Sequence, residues 1–207
     1  MRKFLFIAIA SLLLSCQKTE KESALGLQRK NYDSILEEKG DSAKTFCEKF
    51  YFDLRHCILI DLSVHSGKKR LHLWDMQNNK AIWSALVSHG CGTNPWGRDK
   101  SKTNPQLSNT PNSHCSSEGK YRIGNRGKST WGIGVNYKLH GLEDSNNNAY
   151  RRTIVLHSWE AIADREIYPR GTPEGWGCPA VSNTTMEKLD EILKEKQQPV
   201  LLWIFTN

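Results

Sequence analysis

The chain has 207 residues, 38% of them hydrophobic and 25% charged, with a formal net charge of +7. That length and apolar content suit one domain with a single core and a tail. The positive charge is not gathered into a Lys/Arg cluster interleaved with aromatics, so no nucleic-acid partner is expected; residence near anionic lipids or cell-wall polymers fits better.

Met1-Arg2-Lys3 is a short basic start, and residues 4–14 are apolar. Eleven or so apolar residues fall short of the roughly 20 that span a bilayer, so the stretch reads as a secretory signal. It closes on Leu13-Leu14-Ser15-Cys16, which resembles the lipobox of bacterial lipoproteins. That resemblance implies lipidation at Cys16 and an extracytoplasmic protein, lipid-anchored to a bacterial membrane and facing the periplasm. An ordinary cleaved signal peptide is the alternative. Residues 17–30 are polar and charged and are expected to form a flexible tether.

Residues 31–56 form an N-terminal helical segment. Ile35, Leu36, Phe46, Cys47 and Phe50 recur at helical spacing, and Gly40-Asp41 is expected to divide two short helices. From residue 57 to 207 the pattern turns β-rich. Strands are predicted over 58–62, 70–74 and 81–88, with turns at Ser66-Gly67 and Asn78-Asn79. A long polar loop follows from His89 to His114, and loops of that length in a compact domain are usually functional. Shorter strands are predicted over 120–123, 133–137 and 153–157. Thr184 and Glu187 read as a capping box for a helix with Met186, Leu189, Ile192 and Leu193 on one face. Pro199 stops that helix before a last buried strand over 200–205. The expected fold class is mainly β (α+β), a sandwich with short N-terminal helices and a C-terminal helix before the last strand.

Six cysteines are present. With Cys16 set aside, Cys47, Cys57, Cys91, Cys115 and Cys178 remain, and an odd number in an oxidising compartment leaves one thiol unpaired. Cys47–Cys57 and Cys91–Cys115 are the favoured disulfides among three connectivities, since each joins neighbouring segments. The second would close the long loop at its base. Cys178 is then left over.

Cys178 stands in Gly175-Trp176-Gly177-Cys178-Pro179-Ala180, and His157 follows the apolar run Thr153-Ile154-Val155-Leu156. Glycine lets a substrate carbonyl approach the main chain, and proline ends regular pairing. A free thiol has a pKa of about 8.5 and needs a base to attack carbonyl carbon at neutral pH. A histidine from another segment is the usual supplier, so the pair reads as a Cys/His acyl-transfer site. The bland alternatives are a buried structural thiol and a strand-end histidine with its own partners. His89, His114, His140, His157 and Cys178 lack the short paired spacing of a zinc site, so no metal and no cofactor are expected.

Three segments taken together carry a family resemblance: Gly67 to Asp75 running into Leu86-Val87-Ser88-His89-Gly90, then Ser116-Ser117-Glu118-Gly119-Lys120-Tyr121, then His157 with 175–180. They resemble the L,D-transpeptidase (YkuD-like) catalytic domain, in its murein L,D-transpeptidase catalytic-domain-like branch. The resemblance implies an extracytoplasmic enzyme acting on peptidoglycan stem peptides, and a monomer is expected. It makes Cys178 the nucleophile and His157 its base, gives oxyanion donors at Gly177 and Cys178, and has Trp176 line the site. Ser158, Arg152 and Tyr121 would be further substrate-binding residues, although Arg151-Arg152 reads more readily as ordinary charges flanking a strand. Trp176 stands where the commonest form of the family has a histidine, and Pro179-Ala180 replace the basic residue after the cysteine. An L,D-carboxypeptidase and a catalytically silent, lipid-tethered peptidoglycan-binding protein are the alternative functions.

Overall fold

In the computed structural model the backbone is described over residues 5–94 and 102–207, and side chains over 26–94 and 102–207. The expected signal and the lipidated Cys16 side chain therefore lie outside the described side chains, and the middle of the long polar loop lies outside the described residues. The chain forms two compact units, Met1–Lys39 and Gly40–Asn207.

A helix, α1, runs from Leu5 to Phe50. It replaces the expected tether and pair of short helices. Residues 17–30 are rich in Gln, Lys, Glu, Ala and Leu, which favour helix, and a lone glycine at 40 costs only about 1 kcal/mol. Within the second unit α1 buries Ala43 and Cys47 on one face. It stops where Tyr51 takes a positive φ of 61° and the Phe52 N–H reaches back to the Cys47 carbonyl at 3.0 Å.

Eight strands make one mixed sheet: β1 (His56–Asp61), β2 (Leu71–Asp75), β3 (Lys80–Ala85), β4 (Gly119–Lys128), β5 (Val135–Gly141), β6 (Val155–Ser158), β7 (Ala180–Val181) and β8 (Leu201–Phe205). Their order is β3-β2-β1-β8-β4-β5-β6-β7. The pairs β1–β8 and β6–β7 are parallel, and the others are antiparallel. The predicted strands match in place, but 81–88 ends as a strand at Ala85, and β7 was not expected. Helix α2 (Asn183–Leu193) precedes β8 and is capped by Ser182, whose hydroxyl accepts from the Thr185 N–H at 3.1 Å. The cap is thus two residues before the Thr184 predicted.

Alternation explains how the sheet encloses its core. In β5, Val135, Tyr137 and Leu139 are buried while Asn136, Lys138 and His140 face outward. One hydrophobic cluster takes Ile58 and Ile60 from β1, Leu73 from β2, Tyr121 from β4, Leu156 from β6, Val181 from β7 and Met186 and Leu189 from α2. Strands from both margins thus share a core. The margins also touch: beyond β3 the Ser88 N–H donates to the Ala180 carbonyl of β7 at 2.8 Å. The sheet curls until its two edges meet.

Candidate active site

Cys178 lies on that seam. The parallel register sets His157 of β6 opposite Ala180 of β7, so Cys178 comes to rest beside Val155. The Val155 N–H points at the Cys178 Sγ at 3.4 Å, and the thiol is 3.8 Å from the Thr153 carbonyl. Leu156 and Ser158 turn inward while Val155 and His157 turn outward. Cys178 and His157 line one cleft of about 320 Å³ with Trp131, Trp159, Gly175, Trp176 and Ala180.

The His157 tautomer follows from its partner. Its Nδ1 is 2.9 Å from the Ser158 carbonyl, which can only accept, so Nδ1 carries the hydrogen and Nε2 keeps the lone pair. Burial lowers the imidazole pKa below its ordinary 6.5, against the raising effect of that hydrogen bond. Burial raises the Cys178 thiol above 9.0, opposed by the Val155 N–H and by the charges of Arg152 and Lys138. The resting pair is a neutral thiol and a neutral imidazole, not an ion pair.

The backbone around the thiol is held by hydroxyls. Ser116 Oγ donates to the Gly177 carbonyl at 3.2 Å and Ser88 Oγ to the Cys178 carbonyl at 3.5 Å, while Ser88 Oγ accepts from Ala180 N–H. Among the described residues, neither the Gly177 nor the Cys178 N–H has an acceptor. Two adjacent amides beside a thiol suit a developing oxyanion. Gly177 has φ +102°, and a Cβ there would meet the Cys115 carbonyl at 2.4 Å, so glycine is required.

Behind the loop lies support that the sequence did not reveal. The Gly175 N–H donates to the His89 carbonyl at 2.9 Å, and the Cys91 N–H donates to the Gly175 carbonyl at 2.8 Å. Fully buried Arg70 donates to the Val87 and Val64 carbonyls and to His89 Nδ1 at 2.8 Å. Guanidinium cannot accept, so His89 carries its proton on Nε2, which is 4.0 Å from buried Glu174. Ser88-His89-Gly90 was legible as a motif, but only the fold brings it against residues 174–180.

Three expected substrate-binding residues are structural instead. Tyr121 is fully buried and its hydroxyl donates to the Ser117 carbonyl at 2.6 Å; burial pushes its pKa up to about 12. Ser158 is also buried, its Oγ accepting from the Ile133 N–H at 3.0 Å. Arg152 clamps the chain leading into β4, donating to the Ser108 carbonyl at 2.9 Å and the Cys115 carbonyl at 2.6 Å. Alternation along β4 and β6 turns the first two inward, and unpaired loop carbonyls hold the third. Trp176 does face the cleft: it is 58% exposed and stacks on His114 with ring centroids 4.5 Å apart. Trp131 and Trp159, edge to face at 5.8 Å, form a cleft wall that the sequence did not place at the site.

Cys47, Cys57, Cys91 and Cys115, the expected disulfide partners, are buried and no disulfide joins them among the described residues, while Cys178 is half-buried. Cys115 Sγ is 3.5 Å from where a Cβ on Gly92 would lie, next to Cys91. Among the described residues no three His, Cys, Asp or Glu side chains gather into a metal-binding group, and no helix is long and apolar enough to cross a membrane.

The sequence profile of the L,D-transpeptidase catalytic domain (YkuD_2) matches residues 28–203, and the chain belongs to that family. No curated protein matches it. Among solved structures, it is similar to Bd1075 of Bdellovibrio bacteriovorus (18% identity, TM-score 0.44, covering 75% of this chain and 49% of that one). It is also similar to the L,D-transpeptidase from Xylanimonas cellulosilytica (14%, TM-score 0.39, 73% and 60%). A third is the helical cell shape determining protein Pgp2, as a point mutant, from Campylobacter jejuni (10%, TM-score 0.47, 76% and 49%). The chain thus spans about half to three fifths of the length of these three.

Proposed function

We propose that the chain is a peptidoglycan L,D-transpeptidase with Cys178 as nucleophile, His157 as base and the Gly177 and Cys178 amides as oxyanion donors. The observation that carries this is a thiol and a neutral imidazole with Nε2 unprotonated lining one cleft, with the Gly177 and Cys178 amides, which have no acceptor among the described residues, in the same loop as the thiol. Nε2 takes the thiol proton as Sγ bonds to the carbonyl carbon between the third-position diamino acid and D-alanine of a stem peptide. The oxyanion collapses, the C–N bond breaks, and the imidazolium returns the proton to the departing D-alanine amine. A side-chain amine of a second stem then attacks the thioester, giving its proton to His157, and the Cys178 thiol is regenerated. With water as acceptor the same steps give an L,D-carboxypeptidase.

Trp176, in place of the box histidine, lines the apolar side of the cleft and takes no proton. The protein is read as a lipoprotein tethered through Cys16 outside the cytoplasm and acting as a monomer. Incubating it with disaccharide-tetrapeptides and weighing the products tests the chemistry. Dimers lacking one D-alanine support transpeptidation, tripeptides alone support hydrolysis, and unchanged substrate with bound stem peptide supports the silent binding protein. A carbapenem should add one drug mass to the wild type and none to Cys178→Ser.

A further inference from the structure

The reactive thiol sits between two unlike surfaces. On one side is the tryptophan-walled cleft, whose described lining carries no charged side chain apart from the titratable His157 and Cys178. On the other is the outward face of β4, β5 and β6. There Lys138 is the direct cross-strand partner of Val155, the residue whose N–H touches the Cys178 Sγ. Cross-strand neighbours have Cβ atoms about 4.5–5.5 Å apart, so the Lys138 stem starts one strand away from the thiol. Arg122 is paired with His140 one strand further out, on the same face.

This face is cationic and uncompensated. Among the described residues no carboxylate lies within ion-pair distance of Lys138 or Arg122, whereas Lys120 is neutralised by Glu143 at 2.9 Å. Exposed Tyr150 stacks on His140 at 4.7 Å, and the Lys138 ammonium lies 5.7 Å from the Tyr150 ring centre. The His140 imidazole is held below 6.5 by burial first, then by the charges of Arg122 and Lys138. Arg152, the cation the sequence offered for substrate binding, is committed to the Ser108 and Cys115 carbonyls.

We propose that Lys138, backed by Arg122, is the docking point for a carboxylate of the acyl donor, so that the site selects an acidic peptide and lays it across β5 and β6 toward Cys178. The proposal rests on Cys178 being the acylating thiol. Stem peptides with a free carboxylate on the donor side of the scissile amide are then preferred over their amidated forms. The aromatic cleft is left for the uncharged part of the reacting pair.

Two measurements separate this proposal from the function it rests on. The first is the ratio of Cys178 alkylation rates by iodoacetate, which carries a carboxylate, and iodoacetamide, its neutral counterpart, on the full chain. A lysine beside the thiol favours the anion, so Lys138→Met should lower the ratio about three- to tenfold. Lys138→Arg should keep it, and Arg122→Gln should lower it less. Raising salt should erase the wild-type preference, because exposed charges are screened over about 8–10 Å. The second is the KM for stem peptides: Lys138→Met should raise it for the free carboxylate and leave it unchanged for the amide, with kcat little altered. An unchanged alkylation ratio in Lys138→Met overturns the proposal; if that variant does not fold, an unscreened wild-type ratio at high salt does the same. A shifted ratio with no thioester from any stem peptide keeps the lysine's role and overturns the transpeptidase reading instead.

Discussion

The two margins of the sheet each carry a histidine kept neutral by burial, and only one of them is placed to react. On the β2–β3 margin, His72 is almost fully buried, with Nδ1 2.8 Å from the Ser84 hydroxyl, and burial pushes its pKa down to about 4. On the β6–β7 margin, His157 is half-buried, spends Nδ1 on a backbone carbonyl and turns its ring to a cleft. Desolvation acts on both. What separates them is access: a fixed carbonyl partner leaves the far nitrogen of His157 facing the cleft, while His72 is enclosed by strands. A lowered histidine pKa is therefore evidence of burial, and it becomes evidence of chemistry only beside a nucleophile.

Removing each histidine should sharpen that contrast. His157→Ala is expected to slow Cys178 acylation about 100- to 10,000-fold with the fold intact, since it removes the proposed base but no strand pairing. Because the thiol pKa lies above 9.0, the mutant rate should climb with pH through that range. The wild type should instead level off above the depressed His157 pKa, on the low side of 6.5. Acylation rate against pH measures both; a mutant equal to wild type at pH 7 would make His157 as inert as His72.

At the other margin the effect is on stability. His72 titrates near 6.5 when unfolded and at about 4 when folded. Above 6.5 both states are neutral and the group is silent. As pH falls toward 4 the unfolded chain takes up a proton that the folded chain refuses, and stability drops by roughly 3 kcal/mol before levelling. Urea unfolding across this range should show the loss, and His72→Phe should flatten it. Next in size, Gly177→Ala forces a side chain into a positive-φ position against the Cys115 carbonyl. It should cost about 1–3 kcal/mol and slow acylation, measurable by thermal melts beside thioester kinetics. The smallest change is expected from Tyr121→Phe, which leaves the Ser117 carbonyl without its donor. About 1 kcal/mol of stability should go with no change in KM; an altered KM would restore Tyr121 to the substrate site.

The strands were legible because their burial is local and periodic: Val135, Tyr137 and Leu139 alternate with polar residues in the sequence as they do in space. The thiol and its histidine were legible because glycine and proline mark the Cys178 loop and an apolar run leads to His157. The rest was hidden for different reasons. β7 is two residues long and too short to have a period. Arg152 and Tyr121 look like binding groups until the carbonyls of 108, 115 and 117 are found to occupy them. Arg70, His89 and Lys138 gain their positions from pairings between distant segments, and no spacing along the chain encodes those. At 17–30, helix-forming composition overrode the polar character from which a tether was expected.

β8, although the last strand in the chain, lies in the middle of the sheet between β1 and β4. Without it, β1–β3 and β4–β7 are two separate ribbons, and the margins on whose meeting the Cys178 loop depends have nothing to bring them round. The seam that carries the Cys178 loop is thus completed last. A chain emerging in order from a ribosome carries Cys178 and His157 through that passage on the same half of the sheet, and the backing of residues 175–180 by Ser88 and His89 from the other half is held in place only once residues 201–205 dock.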